Sequence, residues 1–486
     1  MNFRRKLWWA QHKNGVYKYG TILSLVLIVT ISIIYFTYSK FTSKNEMTAY
    51  ETTVEPFIKN DYFIASYIDG EWSNEIPGKN DGYVVDKIVC DNGATGTWDN
   101  EEWGINIRNA TKKIKCGVYF KPNVAKQIVE LAASDTTNFA LDDPDNNIRY
   151  FGSNPNNYVY FNCSDYSNQS DNTCEKWRII GVFNNITKAD GTKENLVKII
   201  RNDSISGFAW DYKKTGVGTS TSNDGSNDWS DSQLMMMLNP TDYLKSGYTI
   251  DNNIVKDSKG QAIYQNMGSY YNGTLGCRPV SITKDSSFSC TSIDFTSTGL
   301  KNDTTRNAIE SVTWILGGFT GNGISAAALY ADERGTTVYS ERPTTWIGKI
   351  GLMYPSDFAY ATAGGSGGPG NKESRSDCLS SMLSTLSATT AMTCYGSDYL
   401  FNWQQLREEV KDGDETLIHR FDGLWTLTPY SSRSNGVYDI VSPSNLNASN
   451  YINKNLVVRP TLYLKSNITI IDGAGSETNP YQLSVQ

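Results

Sequence analysis

From Tyr19 to Tyr38 the chain carries no charge, reading Tyr-Gly-Thr-Ile-Leu-Ser-Leu-Val-Leu-Ile-Val-Thr-Ile-Ser-Ile-Ile-Tyr-Phe-Thr-Tyr. At about 1.5 Å per residue a helix of this length spans roughly 30 Å, one bilayer core. The run is the only one of its kind among the 486 residues and predicts a single transmembrane anchor. Arg4, Arg5, Lys6, Lys13 and Lys18 precede it, and only Lys40 and Lys44 follow closely, so the N-terminus is expected in the cytoplasm. Trp8, Trp9, Tyr17, Tyr19, Tyr35 and Tyr38 flank the run as interfacial aromatics do. A cleaved signal peptide has a shorter apolar region, about 7–15 residues, ending in a small-x-small site. This run exits through Tyr-Phe-Thr-Tyr-Ser-Lys, which favours an uncleaved anchor. Residues 1–18 then form a cytoplasmic tail too short for an output domain, and the large remainder is expected outside the cell.

Charge supports that division. Residues 1–44 hold seven of the 44 basic residues and none of the 51 acidic ones, leaving 37 basic against 51 acidic, a net of −14. An acidic outer region repels nucleic acid, so no nucleic-acid partner is expected. The eight cysteines, Cys90, Cys116, Cys163, Cys174, Cys277, Cys290, Cys378 and Cys394, all lie beyond the anchor. They cluster in successive pairs, which favours local disulfides 90–116, 163–174, 277–290 and 378–394; free buried thiols are the alternative. No Cys-x-x-Cys occurs, so a zinc ribbon or dithiol redox motif has no support.

The region after the anchor is rich in Gly, Asn, Ser, Thr, Asp and Tyr and poor in helical periodicity. Residues 39–58 read as a polar stalk and 59–121 as a small all-β module. In the module, Tyr62 to Ile68 alternates and meets Asp69-Gly70, a hairpin signal. Residues 122–147 read as a helical linker, with Val124, Ile128, Val129 and Leu131 as the apolar stripe of a helix from Pro122 to Ala133. The large domain occupies 148–486. Trp177–Val182 and Leu196–Ile200 read as a hairpin pair. Helices are expected at Ser230–Asn239, capped by Ser230, at Thr304–Leu316 and at Trp403–Val410; the chain closes in a hairpin, Asn467–Ile471 with Tyr481–Val485.

Chemistry-bearing residues are sparse. Gly364-Gly365-Ser366-Gly367-Gly368-Pro369 fits G-x-S-x-G, but the one histidine outside the membrane, His419, follows that serine, and no strand–turn–helix context surrounds it. A flexible glycine loop is the simpler reading. One such histidine also excludes a zinc site of two or three histidines. Asp142-Asp143-Pro144-Asp145-Asn146-Asn147 lacks the glycine and distal glutamate of an EF-hand and reads as a solvated turn; no cofactor is assigned, with calcium left open here. No catalytic residue is assigned. Asp357 sits among aromatics as a ligand contact or a turn cap. Exposed Tyr and Trp side chains suit stacking on sugars or flat protein epitopes.

Several pieces, taken in order, resemble a known pattern. They are Trp177-Arg178-Ile179-Ile180-Gly181-Val182, the segment Trp229–Asn239, the segment Trp346–Asp357, Trp425-Thr426-Leu427-Thr428-Pro429 and Val458–Leu464. Together, over about residues 148–465, they resemble single-pass surface proteins of gut Firmicutes-type bacteria, with a large domain similar to the C-type-lectin or formylglycine-generating-enzyme-like fold. The resemblance implies an α+β domain with a twisted mixed sheet, two flanking helices and long loops. It carries no mechanism: the reactive cysteine pair, the clustered histidines and the calcium-lectin signatures are absent.

The expected protein is therefore a membrane-anchored surface protein for adhesion or binding, meeting glycan or a host or envelope protein through aromatic-rich loops, and changes in the loops 214–228 and 362–376 are expected to alter that binding. Trp346, Tyr354, Asp357 and Arg459 are the candidate ligand contacts. A polysaccharide hydrolase using two carboxylates is the alternative, and a structural envelope protein the second.

Overall fold

The computed structural model describes residues 12, 14, 22, 24–30, 62–110, 113–211, 225–260, 262–265, 268–282, 288–319, 325–365, 374–381, 393–395, 398–400, 407–412, 415–420, 423–441, 445–447 and 452–485. Among them no helix is long and apolar enough to cross a membrane. Of the run 19–38, Ile22 and residues 24–30 are described; they are helical with exposed side chains.

The chain divides into two compact units, Met1–Ala65 with Lys87–Val118, and Ser66–Asp86 with Tyr119–Gln486. Strands β1 (Tyr62–Ile68), β3 (Tyr83–Cys90) and β6 (Ile114–Pro122) each run from one unit into the other. In the first unit, β4 (Thr95–Asp99) and β5 (Gly104–Arg108) form an antiparallel hairpin. Its small core gathers Ala94, Ile114 and Cys116 beside the Cys90–Cys116 disulfide.

In the second unit β1 continues through Asp69-Gly70, both at positive φ, into β2 (Glu71–Ser73). Consecutive left-handed residues are what a tight hairpin turn requires. Helix α1 (Val124–Ser134) starts at Asn123, whose side-chain oxygen accepts the Lys126 N–H at 2.9 Å. Pro122 ends β6 instead of opening the helix. The helix is tied to the C-terminal segment: Val124 N–H donates to Ile468 O at 2.8 Å and Gln127 Nε2 to Ile470 O at 2.9 Å.

The main sheet has seven strands. β7 (Phe139–Ala140), β8 (Ile148–Tyr150), β10 (Glu175–Thr187) and β11 (Lys193–Arg201) lie in order, and β9 (Tyr158–Phe161) also pairs with β10. On the other side of β11 stand two late segments, Thr461–Tyr463 and then Ile350–Gly351. β12 (Gly207–Phe208) belongs to a second sheet. Helix α2 (Gln233–Leu238) follows a 3₁₀ turn, and Ser232, not Ser230, caps it, accepting Met235 N–H at 3.1 Å. Met235, Met236 and Met237 are buried and fill core space.

The segment 304–316 departs from its helical expectation. Only Asp303–Asn307 is helical. Beyond it, β13 (Val312–Ile315) pairs with β14 (Thr345–Gly348), setting Trp314 opposite Trp346. Ile309, Val312, Ile315 and Leu316 fit a helical stripe, but Val312-Thr313-Trp314-Ile315 is also β-branched and aromatic, and a partner strand decides the matter. Arg407–Asp412 is likewise a strand, paired with Glu415–Arg420 where a helix was expected. Helix α3 (Ala326–Glu333) precedes β14 in the chain, and β15 (Ile350–Gly351) and helix α4 (Pro355–Tyr360) follow it.

The second sheet orders β12, then β19 (Leu456–Val457), β16 (Gly423–Pro429), β17 (Val437–Val441) and β18 (Asn445–Asn447). Its β16–β19 pair is parallel, so the sheet is mixed. Strand β20 (Thr461–Tyr463) pairs with β11 on one side and β15 on the other, closing the main sheet with residues from the far end of the chain. Among the described residues the fold is α+β, mostly sheet with few and short helices, and forms no barrel. Trp177, Trp210, Trp229, Trp314 and Trp425 are each at most 1% exposed and anchor one large core.

Disulfides join Cys163 to Cys174 and Cys378 to Cys394 as well as Cys90 to Cys116. Three such bonds point to an extracellular or secreted protein. The side chains of Cys277 and Cys290 lie outside the described residues.

Candidate functional site

The four sequence-derived candidates all point inward. Trp346 on β14 packs edge-on against Trp229 and Tyr243. Tyr354 precedes α4, and its hydroxyl bonds both the N–H and the carbonyl of Ile315 at 3.0 Å. Arg459 donates to Leu400 O at 3.4 Å and to Asn202 O, and burial pushes its guanidinium down to about 10. Asp357 is buried in the first turn of α4, where its Oδ2 accepts the Tyr354 N–H at 2.9 Å. Tyr354 and Asp357 thus meet each other, while Trp346 and Arg459 serve other parts of the core.

Asp357 does more than cap a helix. It receives two cations that the sequence reading passed over. Lys198 Nζ, from the middle of β11, donates to Oδ2. Arg149 Nη1, from β8, donates to Oδ1 at 2.9 Å, and Arg149 Nε donates to Asp143 Oδ2 at 2.6 Å. The side chains of Lys198, Asp357 and Asp143 are fully buried, and that of Arg149 is 2% exposed. Aromatic rings enclose the cations. Lys198 Nζ lies 4.3 Å from the Tyr354 ring and 5.2 Å from Phe183, and Arg149 stands 4.7 Å from Phe183 and 5.0 Å from Tyr360. Two positive and two negative charges balance.

Burial sets the protonation. It pushes the Lys198 ammonium down to about 8 despite the adjoining carboxylate. Burial also opposes ionisation of Asp357, but Lys198 and Arg149 together hold its carboxyl below the usual range. Glu333, at the end of α3, is pushed up to about 7, chiefly by burial, and accepts the Ser356 N–H at 2.8 Å and the Ser356 hydroxyl. The signal for Lys198 was present in Leu196-Val197-Lys198-Ile199-Ile200: a charge inside an apolar strand must find a buried partner.

The exposed rings lie elsewhere. Trp72 on β2 faces Tyr67 on β1 across the hairpin, and Tyr119 on β6 completes a triad. Centroid separations are 5.1 Å for Tyr67–Trp72, 5.2 Å for Tyr67–Tyr119 and 5.4 Å for Trp72–Tyr119. Trp72 is 56% exposed, unlike the tryptophans of the core. Edge-to-face packing on two tyrosines fixes its indole, leaving one large apolar surface to solvent. Trp72 sits alone between Glu71 and Ser73, so no periodic pattern marked it.

A cleft of about 190 Å³ opens beside α1, lined by Asn80, Asp81, Lys126, Glu194, Asn195 and Ser466 among others. Its two carboxylates have structural duties. Asp81 Oδ2 accepts the Gly78 N–H at 2.7 Å, and Glu194 Oε1 accepts Lys188 Nζ at 2.7 Å. The turn at 142–147 is similarly engaged: Asp142 pairs with Arg375, Asp143 with Arg149, and Asp145 accepts the Tyr330 hydroxyl at 2.7 Å. Ser366 to Pro369, most of the loops 214–228 and 362–376, and the side chain of His419 lie outside the described residues.

No family model, no curated protein and no solved structure matches the chain.

Proposed function

We propose that this is a membrane-anchored binding protein of the cell surface, with its N-terminus inside and its large lectin-like region outside, that recognises glycan or an envelope or host protein. The observation that carries the reading is the Tyr67–Trp72–Tyr119 triad, an exposed and pre-oriented aromatic surface where most other tryptophans among the described residues are core. A rigid indole face stacks on the apolar face of a sugar ring or on a flat epitope at little cost in conformational entropy. The disulfides supply the matching compartment. Pairing of an early tryptophan-led strand system with the late Val-Arg-Pro segment, as β11 with β20, supports the lectin-like reading. The run 19–38 supports the anchor.

The test is binding of the full-length protein to an array of glycans and cell-wall polymers, with calcium and with chelator. Saturable, selective binding is expected, and its loss in chelator would assign calcium a part in it. Release of fragments from any polymer would instead favour a hydrolase, and silence throughout would remove the glycan reading and favour a protein ligand or a structural role.

A further inference from the structure

The Lys198–Asp357 pair has an arrangement that chemistry can act on. An amine and a carboxyl group share one hydrogen bond in a site from which water is excluded. The partners are 159 residues apart in sequence, one in the main sheet and one on α4, so the fold alone brings them together. Tyr354 N–H also binds Oδ2 at 2.9 Å, and Arg149 Nη1 binds Oδ1 at 2.9 Å, which fixes the carboxyl plane.

We propose that Lys198 and Asp357 become joined by an intramolecular amide bond, formed without any cofactor by condensation of the buried ion pair. Proton transfer along the hydrogen bond turns ammonium and carboxylate into amine and carboxylic acid. The Nζ lone pair then adds to Cγ, and the Cγ–Oδ2 bond breaks. Of the three ammonium hydrogens, one stays on the amide nitrogen and two leave with Oδ2 as water. The two opposite charges cancel, and nothing is oxidised or reduced.

Three features favour the step. Proximity replaces a bimolecular encounter by an intramolecular one. Arg149, held on Oδ1, stabilises the negative charge that builds there in the tetrahedral intermediate, and its Nη2, which has no hydrogen-bond partner among the described residues, can assist. Condensation also relieves a buried ion pair of its desolvation cost. It leaves Arg149 paired with Asp143 at 2.6 Å, so the remaining charges still balance. The depressed Lys198 value of about 8 places the neutral amine within reach near neutral pH.

Intact mass of the full-length protein after disulfide reduction tests this. The expected mass falls short of the sequence mass by one water molecule, and proteolysis yields a branched peptide joining the Lys198 and Asp357 fragments. K198R keeps a cation at the site but has no amine that can condense, and it should show the full sequence mass. A wild-type protein of full sequence mass overturns the proposal, as does a water loss that persists in K198R.

Discussion

Asn239 grips Ile350 from both sides: its Nδ2 donates to the Ile350 carbonyl and its Oδ1 accepts the Ile350 N–H, each at 2.8 Å. The side chain thereby acts as one residue of an extra strand along β15. Its amide also reaches Met235 O at 3.1 Å, so the end of α2 is locked to the edge of the main sheet. This explains why a buried asparagine ends the helix where leucine precedes it.

Asn239→Asp keeps the shape and the acceptor but removes both donated bonds and buries a carboxylate. It should lower unfolding stability by about 2–4 kcal/mol, from lost hydrogen bonds and an unsatisfied buried group. Urea unfolding of the two proteins side by side measures it, and an unchanged midpoint would refute the bridging role.

Gly181 lies where β10 crosses β8, and a Cβ there would collide with the Ile148 carbonyl oxygen. Gly181→Ala should cost about 1–3 kcal/mol, the usual range for overpacking. The damage should centre on β8, visible as faster amide exchange at Ile148 and Arg149.

Removing the Cys163–Cys174 bond with a double serine substitution should cost about 3 kcal/mol in the chain-entropy account for so short a loop. The thermal midpoint should fall relative to the oxidised wild type. A variant as stable as wild type would mean that the loop is ordered without its staple.

Glu333 is raised from an ordinary value of 4.5 to about 7, mainly by burial. The folded state therefore binds its proton more tightly than the unfolded chain does. That contribution is complete below about 4.5 and is lost as pH rises towards 7. Glu333→Gln, which stays neutral throughout, should flatten stability across that window. Equal pH slopes in the two proteins would contradict the assignment.

Local signals carried much of the fold. Asp69-Gly70 marked its hairpin because its two residues favour positive φ, and the short spacing of Cys90 to Cys116, Cys163 to Cys174 and Cys378 to Cys394 marked their pairing. Trp177 and Trp425, in runs of apolar residues, are buried in the core, as is Trp314. What failed was decided by partners distant in sequence. Val312–Ile315 became a strand because Thr345–Gly348 lies beside it. Asp357, read as a ligand contact or a turn cap, does cap its helix, but its meeting with Lys198 and Arg149, from two other strands, inside the core was not legible in the sequence. Trp72 gave no pattern at all, since its exposure depends on which hairpin face the rest of the fold covers.

The binding of wild-type and Trp72→Ala proteins to the same glycan and polymer array tests the central claim most directly. Tyr67 and Tyr119 remain, and the side chain removed is largely exposed, so folding should be unaffected by circular dichroism. The account predicts at least about a tenfold loss of affinity, roughly the 1–3 kcal/mol of one lost stacking ring. Undiminished binding by Trp72→Ala would contradict it.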